Sequence, residues 1–177
     1  MNSGKRFEKQ ITKSIDSKFV KVYRLNDPAQ SFGKNDSLIR FSVKNPFDYF
    51  FFDSRTRTLY TIECKTVDAN SISFERSKED SSRLIHWHQI AALKDWGCYP
   101  GIISGFIIDF RKSNLTYFIP IQAFCSFIEQ TNKVSISIKD IESLSGCILI
   151  NFKKLKVNKL FDMESFFAKA NEERLDN

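Results

Sequence analysis

Asp48, Glu63 and Lys65 are the residues of this chain whose types and spacing suit chemistry. Two carboxylates beside one lysine suit a divalent cation: oxygen ligands hold Mg²⁺ while several waters remain, so a phosphate oxygen and an attacking water can enter its coordination sphere. Mn²⁺ is the expected substitute. The lysine supplies a compact positive charge where a phosphoryl group becomes more negative, or orients the water that attacks it. The combination suits metal-assisted phosphodiester hydrolysis. A strand ending in Glu-x-Lys is also a common solvated edge, so the three residues alone leave that structural reading open.

The residues need a hairpin to bring them together. Phe47-Asp48-Tyr49-Phe50-Phe51-Phe52 is aromatic and strand-like, Ser54 to Thr58 is a polar turn, and Leu59-Tyr60-Thr61-Ile62-Glu63-Cys64-Lys65 is a second strand. Side chains alternate across a strand, so Thr61, Glu63 and Lys65 share one face while Ile62 and Cys64 take the other. With ordinary register, Asp48 near the start of the first strand falls beside Glu63 at the end of the second.

Other elements surround the hairpin. Gly4 to Ser17 reads as an amphipathic helix with Phe7, Ile11 and Ile15 at four-residue spacing, capped by Asn2 or Ser3. Glu8 lies beside that stripe, where its plain reading is an exposed carboxylate pairing with Lys5 or Thr12. Phe19 to Leu25 is an expected strand. Residues 26–44 follow as a loop, with Lys34, Arg40 and Lys44 supplying positive charge for DNA contact. Val67 to Asp80 is polar and is expected to cover the mouth of the site. Arg83 to Trp96 reads as a buried helix ended by Gly97, and Gln89 on it has the plain reading of a satisfied buried amide.

Gly101 to Phe110 and Leu115 to Pro120 are expected strands, Ile121 to Gln130 a helix, and Val134 to Ile138 and Cys147 to Phe152 two further strands. Lys153, Lys154, Lys156 and Lys159 form a basic run, read either as a solvated segment or as a phosphate-contacting patch. Asp162 is the expected cap of a last helix.

The spacing Asp48, fourteen intervening residues, Glu63-Cys64-Lys65 resembles the PD-(D/E)xK nuclease superfamily. Asn2 to Glu8, the Phe41 to Tyr49 stretch, Glu63-Cys64-Lys65-Thr66, Ser73-Phe74, and Ile85-His86-Trp87-His88-Gln89-Ile90 occur in the order seen in RecU-type Holliday junction resolvases. Gly105-Phe106-Ile107-Ile108 and Thr116-Tyr117-Phe118-Ile119 look like the later strands of that family. The resemblance implies an α/β, restriction-endonuclease-like fold with a central mixed β-sheet flanked by helices. It also implies Mg²⁺ held by Asp48, Glu63 and the backbone carbonyl of Cys64, with Gln89 and Glu8 assisting. A homodimer acting on four-way DNA junctions is the implied assembly. The stretch corresponding to the family's projecting stalk, residues 26–44, looks shorter here.

Composition agrees with a polyanionic partner. The net charge is +6 and the pI about 9.1, which attracts phosphate backbones. At 177 residues and 42% hydrophobic, the chain is expected to form a single nuclease domain over residues 1–177. The four cysteines lack Cys-x-x-Cys spacing and the two histidines make a poor zinc site. With no long apolar span or signal segment, the chain is expected to be cytoplasmic. Two alternatives stand beside a junction resolvase: a restriction- or repair-type DNA endonuclease of the same fold, and a DNA-binding protein that does not cleave.

Overall fold

The computed structural model describes residues 2–25 and 45–175. Lys34, Arg40 and Lys44, and the loop expected at 26–44, lie outside the described residues. Helix α1 (Ser3–Lys13) leads to strand β1 (Val20–Arg24), then β2 (Tyr49–Asp53), β3 (Thr58–Val67) and β4 (Ser71–Ser73). Helix α2 (Trp87–Trp96) connects to β5 (Ile102–Phe110), β6 (Leu115–Pro120), α3 (Ile121–Gln130), β7 (Ser135–Ser137) and α4 (Ile138–Ser143). The chain ends with β8 (Ile148–Leu149), β9 (Phe152–Lys154), β10 (Lys159–Phe161) and α5 (Met163–Leu175).

Six strands form the central sheet in the order β1-β2-β3-β5-β6-β8. The β3–β5 pair is parallel and the other pairs antiparallel, so the sheet is mixed and flanked by helices, as expected from the sequence. A parallel neighbour needs a crossover, and the chain from β4 through α2 supplies it. The alternation along β3 and β5 divides the core. Tyr60, Ile62, Cys64 and Ile107 pack with Phe7 and Ile11 of α1 and Phe166 and Phe167 of α5. Phe106, Ile108 and Phe110 face the other way, with Ile90 and Leu93 of α2 and Phe124 of α3. Each large apolar side chain buried this way contributes about 1.5–3 kcal/mol.

Gly105 lies where β5 and β6 approach closely. A Cβ there would lie 2.4 Å from the Ile119 carbonyl oxygen and 2.6 Å from the Phe118 ring, so only glycine lets β5 and β6 approach so closely.

Several boundaries differ from the sequence reading. Helix α1 stops at Lys13, not Ser17: the last turn tightens to i→i−3 bonds, Ser14 N–H to the Ile11 carbonyl and Ile15 N–H to the Thr12 carbonyl, while the Ser14 hydroxyl covers the Gln10 carbonyl. Its cap is Asn2, whose side chain accepts the Gly4 N–H. Helix α2 starts at Trp87, not Arg83, because Ile85 is drawn into a parallel bridge with Phe74. Val67 to Asp80 is not a polar cover: Ile72 and Phe74 are core residues and β4 pairs with β7. Cys147 to Phe152 is divided between two short strands: Ile148 and Leu149 pair with β6 in the central sheet, while Phe152 pairs with Phe161 in a separate hairpin. Asp162 caps α5 as expected, accepting the Ser165 N–H and hydroxyl.

Candidate active site

The β2–β3 register sets the site. Tyr49 pairs with Ile62 and Asp53 with Thr58, which carries Asp48 opposite Glu63 just past the end of the paired segment. The Asp48 N–H still reaches the Ile62 carbonyl at 3.1 Å. Alternate residues of a strand direct their peptide groups to the same edge, so Cys64 repeats the direction of Ile62. Strand β2 has ended there. The Cys64 N–H is taken by Asp48 Oδ2 at 2.9 Å instead, and the Cys64 carbonyl shares that strand-free edge.

Glu63 points to the opposite face from Ile62 and Cys64, toward α2. Its Oε1 accepts the Gln89 amide at 2.5 Å and the Lys65 ammonium at 3.0 Å. Gln89 is in turn oriented by the His86 backbone N–H, which donates to its Oε1 at 3.1 Å. Thr61 and Ser104, hydrogen-bonded at 2.6 Å, close the buried floor on this face.

Glu8 arrives from α1 on the other side of the strand end. It pairs with neither Lys5 nor Thr12, the partners expected of an exposed carboxylate. Its Oε2 accepts from Arg24 Nε and from the Tyr49 hydroxyl, each at 3.1 Å, because the stripe of α1 packs on the sheet and turns Glu8 inward. Arg24 and Tyr49 are directly opposite in the β1–β2 pair, so one carboxylate ties α1 to both strands.

These groups perturb one another. Burial pushes the Asp48 carboxyl up to about 6; the Cys64 N–H opposes this, Glu8 adds to it, and Lys65 and Arg24 pull back. Burial and then the nearby Asp48 raise Glu63 to about 7, against Lys65. The Cys64 thiol is pushed well up by burial, and its sulfur belongs to the core rather than the site.

The chemistry of the donor set fits a divalent cation. Each carboxylate has one fixed oxygen, while Asp48 Oδ1 and Glu63 Oε2 take no hydrogen bond among the described residues. No described side-chain oxygen is both fully buried and unpartnered, so both open oxygens reach solvent. Burial raises both carboxyls, with Glu8 adding to the shift of Asp48 and Asp48 to that of Glu63, and a bound cation would relieve that cost. Among the described residues, no group of three or more His, Cys, Asp or Glu side chains is placed to bind a metal ion together.

The sequence reading missed the anchor of α2. Glu75, 7% exposed, accepts His86 Nδ1 at 2.9 Å and the Trp87 N–H at 2.7 Å. Against the upward push of burial, those bonds hold its carboxyl below the usual range. His86 and His88 stack with ring centroids 5.5 Å apart. A carboxylate ending the Ile72–Phe74 stretch, twelve residues before a helix start, was the available clue. Among the described residues, no helix is long and apolar enough to cross a membrane.

No family model matches the chain. Over 170 residues it is 32% identical to an SPbeta prophage-derived uncharacterized protein, YotM, of Bacillus subtilis strain 168, covering 89% of this chain and 80% of that protein. Among solved structures it is similar to Hjc, a Holliday junction resolvase from the archaeal hyperthermophile Archaeoglobus fulgidus. That likeness has a TM-score of 0.49 and 16% identity, and covers 80% of this chain and 93% of the other.

Proposed function

We propose that this chain, which belongs to the family of the prophage-derived YotM protein, is a Mg²⁺-dependent DNA endonuclease of restriction-endonuclease-like fold. The observation that carries this reading is the convergence of Asp48, Glu63 and Lys65 at the strand-free end of β3, with one open oxygen on each carboxylate. Asp48, Glu63 and the Cys64 carbonyl hold the cation, which polarises the phosphodiester and activates water when bound. Lys65 stabilises the charge that develops on the phosphoryl group. Gln89 orients Glu63, and Glu8 raises the negative potential around the ligands while fixing Arg24 and Tyr49.

The target we infer is a four-way DNA junction, on the RecU-type resemblance of the Asp48, Glu63-Cys64-Lys65 and His86 to Gln89 segments. A homodimer of single nuclease domains places two such sites across the two-fold axis of a junction. The shorter stretch at 26–44 keeps a restriction- or repair-type endonuclease as the second reading.

Cleavage of four-way, Y-shaped and linear DNA by the full chain, with Mg²⁺, Mn²⁺ or a chelator, tests this. Metal-dependent paired nicks on the four-way substrate are expected. Cleavage of linear DNA at equal rates moves the assignment to the second reading, and binding without cleavage in either metal overturns the enzyme.

A further inference from the structure

The basic run near the C-terminus folds into a feature that the active site does not use. Lys153 and Lys154 of β9 pair with Leu160 and Lys159 of β10, and a turn closed by the Leu155 N–H to the Asn158 carbonyl, 2.7 Å, joins the strands. This hairpin stands apart from the central sheet. Its turn carries two aliphatic side chains in solvent, Leu155 at 50% and Val157 at 71% exposure, with exposed Lys154 and Lys156 beside them.

The hairpin is tethered firmly at its base. Lys159 Nζ reaches Asp109 Oδ1 at 2.8 Å and lies 4.3 Å over the Phe152 ring. Arg6 donates to the Val157 carbonyl, Gln10 donates to Asn158 Oδ1 at 3.2 Å, and the Phe161 N–H donates to Ser14 Oγ at 3.0 Å. The backbone of the turn is thus held by α1 while its apolar side chains are left outside. A groove of about 370 Å³ runs between the two, with Arg6, Arg111, Lys154 and Lys156 on its walls.

Its position connects it to the active site. Asp109, which Lys159 grips, pairs with Thr66, the residue after Lys65 on β3. Helix α1, which holds the turn through Arg6 and Gln10, carries Glu8 to the carboxylates. A polyanion drawn to the end of β3 therefore passes the hairpin. Lysines suit its phosphates, whereas intact duplex offers no apolar face for Leu155 and Val157. Bases unstacked at a branch or a distorted step offer one.

We propose that the β9–β10 hairpin is a DNA wedge, with Lys154 and Lys156 on backbone phosphates and Leu155 and Val157 against unstacked bases. This rests on the endonuclease reading and adds to it the element that senses branched DNA.

The test uses the full chain in chelator, so that binding is read without cleavage. Its probes are a four-way junction with 2-aminopurine at the branch point and a linear duplex of the same sequence. The wild-type chain is expected to bind both and to raise the branch-point fluorescence. Replacing Lys154 and Lys156 together by Gln is expected to lower the slope of log affinity against log salt by about two on both DNAs. Replacing Leu155 and Val157 together by Ser is expected to leave that slope unchanged, abolish the fluorescence rise and weaken junction binding about tenfold, with duplex binding intact. All four side chains are exposed, and matching thermal melts verify the fold.

An unchanged salt slope in the first variant, or an unchanged fluorescence rise in the second, overturns the wedge alone. Failure of the wild-type chain to bind either DNA overturns the endonuclease reading itself. Sedimentation with phosphatidylserine vesicles that is lost in both variants, with DNA binding untouched, overturns the wedge in favour of a membrane contact.

Discussion

Gln89 gives an amide hydrogen to Glu63 at 2.5 Å while its own carbonyl oxygen is held by the His86 backbone N–H, so a helix start dictates the orientation of a buried carboxylate on a neighbouring strand. The relationship makes Gln89 directional: its amide can donate toward Glu63 only because its oxygen is already occupied.

Gln89→Ala removes that donor and leaves Glu63 with Lys65 as its remaining partner. Stability is expected to fall by about 1–3 kcal/mol, the usual cost of an unsatisfied buried polar group. Cleavage is expected to fall at least about tenfold, because the carboxylate loses its fixed direction. Denaturant melts and single-turnover rates check the two effects separately.

The raised carboxyls set a pH response. In the metal-free chain, the stability contributed by protonated Asp48 and Glu63 is fully present below their unfolded values, about 4. It is lost as pH rises through about 6 and about 7. A divalent cation competes with those protons, so the rise in Tm on adding Mg²⁺ or Mn²⁺ is expected to be larger at about pH 8 than at about pH 5. Cleavage is expected to climb across the same window. Equal metal-induced shifts at the two pH values would contradict the assignment of these carboxylates as ligands.

Lys65→Ala is expected to reduce cleavage at least about a hundredfold, by loss of charge stabilisation at the phosphoryl group. It also removes the cation that opposes the upward shift of Glu63, so metal affinity near neutral pH weakens through protonation. At about pH 9, above that titration, calorimetry is expected to show metal binding restored while cleavage stays low. Metal binding that remains absent at the higher pH would make Lys65 part of the ligand architecture.

Asn171 provides a control far from the chemistry. Its amide donates to the Tyr60 hydroxyl at 2.6 Å and the Phe167 carbonyl at 2.8 Å, and its oxygen accepts from Thr58 at 2.8 Å. Asn171→Ala is expected to cost about 1–3 kcal/mol by removing a donor to the Tyr60 hydroxyl and the acceptor of the Thr58 hydroxyl. Cleavage per folded molecule is expected to be unchanged, which activity normalised to the folded fraction measures.

The hairpin was legible because it is local, and alternation assigns its faces; its register was not, and the pairing of Tyr49 with Ile62 supplies it. The place of Gln89 facing the hairpin rested on the family resemblance, whereas the buried stripe of α1 could be read from apolar spacing, which is local. The partners of Glu8 could not, since Arg24 and Tyr49 reach it only after α1 docks on two strands. Glu75 was hidden differently. Its segment is rich in charge, yet its backbone is pulled into the core by Ile72 and Phe74, and it meets His86 through a bridge that no local pattern announces. The β9–β10 hairpin was obscured by its lysines, because a strand pair anchored through Phe152 and Phe161 looks like a solvated run when read in one dimension.

The parallel pairing of β3 with β5 has a consequence in time. Thr61 and Ser104, bonded across it, are 43 residues apart, whereas the β2–β3 hairpin closes across a short turn. Contacts of long sequence separation form late, after the loop entropy has been met. During synthesis the carboxylates emerge first, and Gln89 and the backing strand follow. Pulse-labelled hydrogen exchange is expected to protect the β3–β5 amides after those of the β2–β3 hairpin. A half-made chain accordingly holds Asp48 and Glu63 before the helix and strand that aim them have joined the sheet.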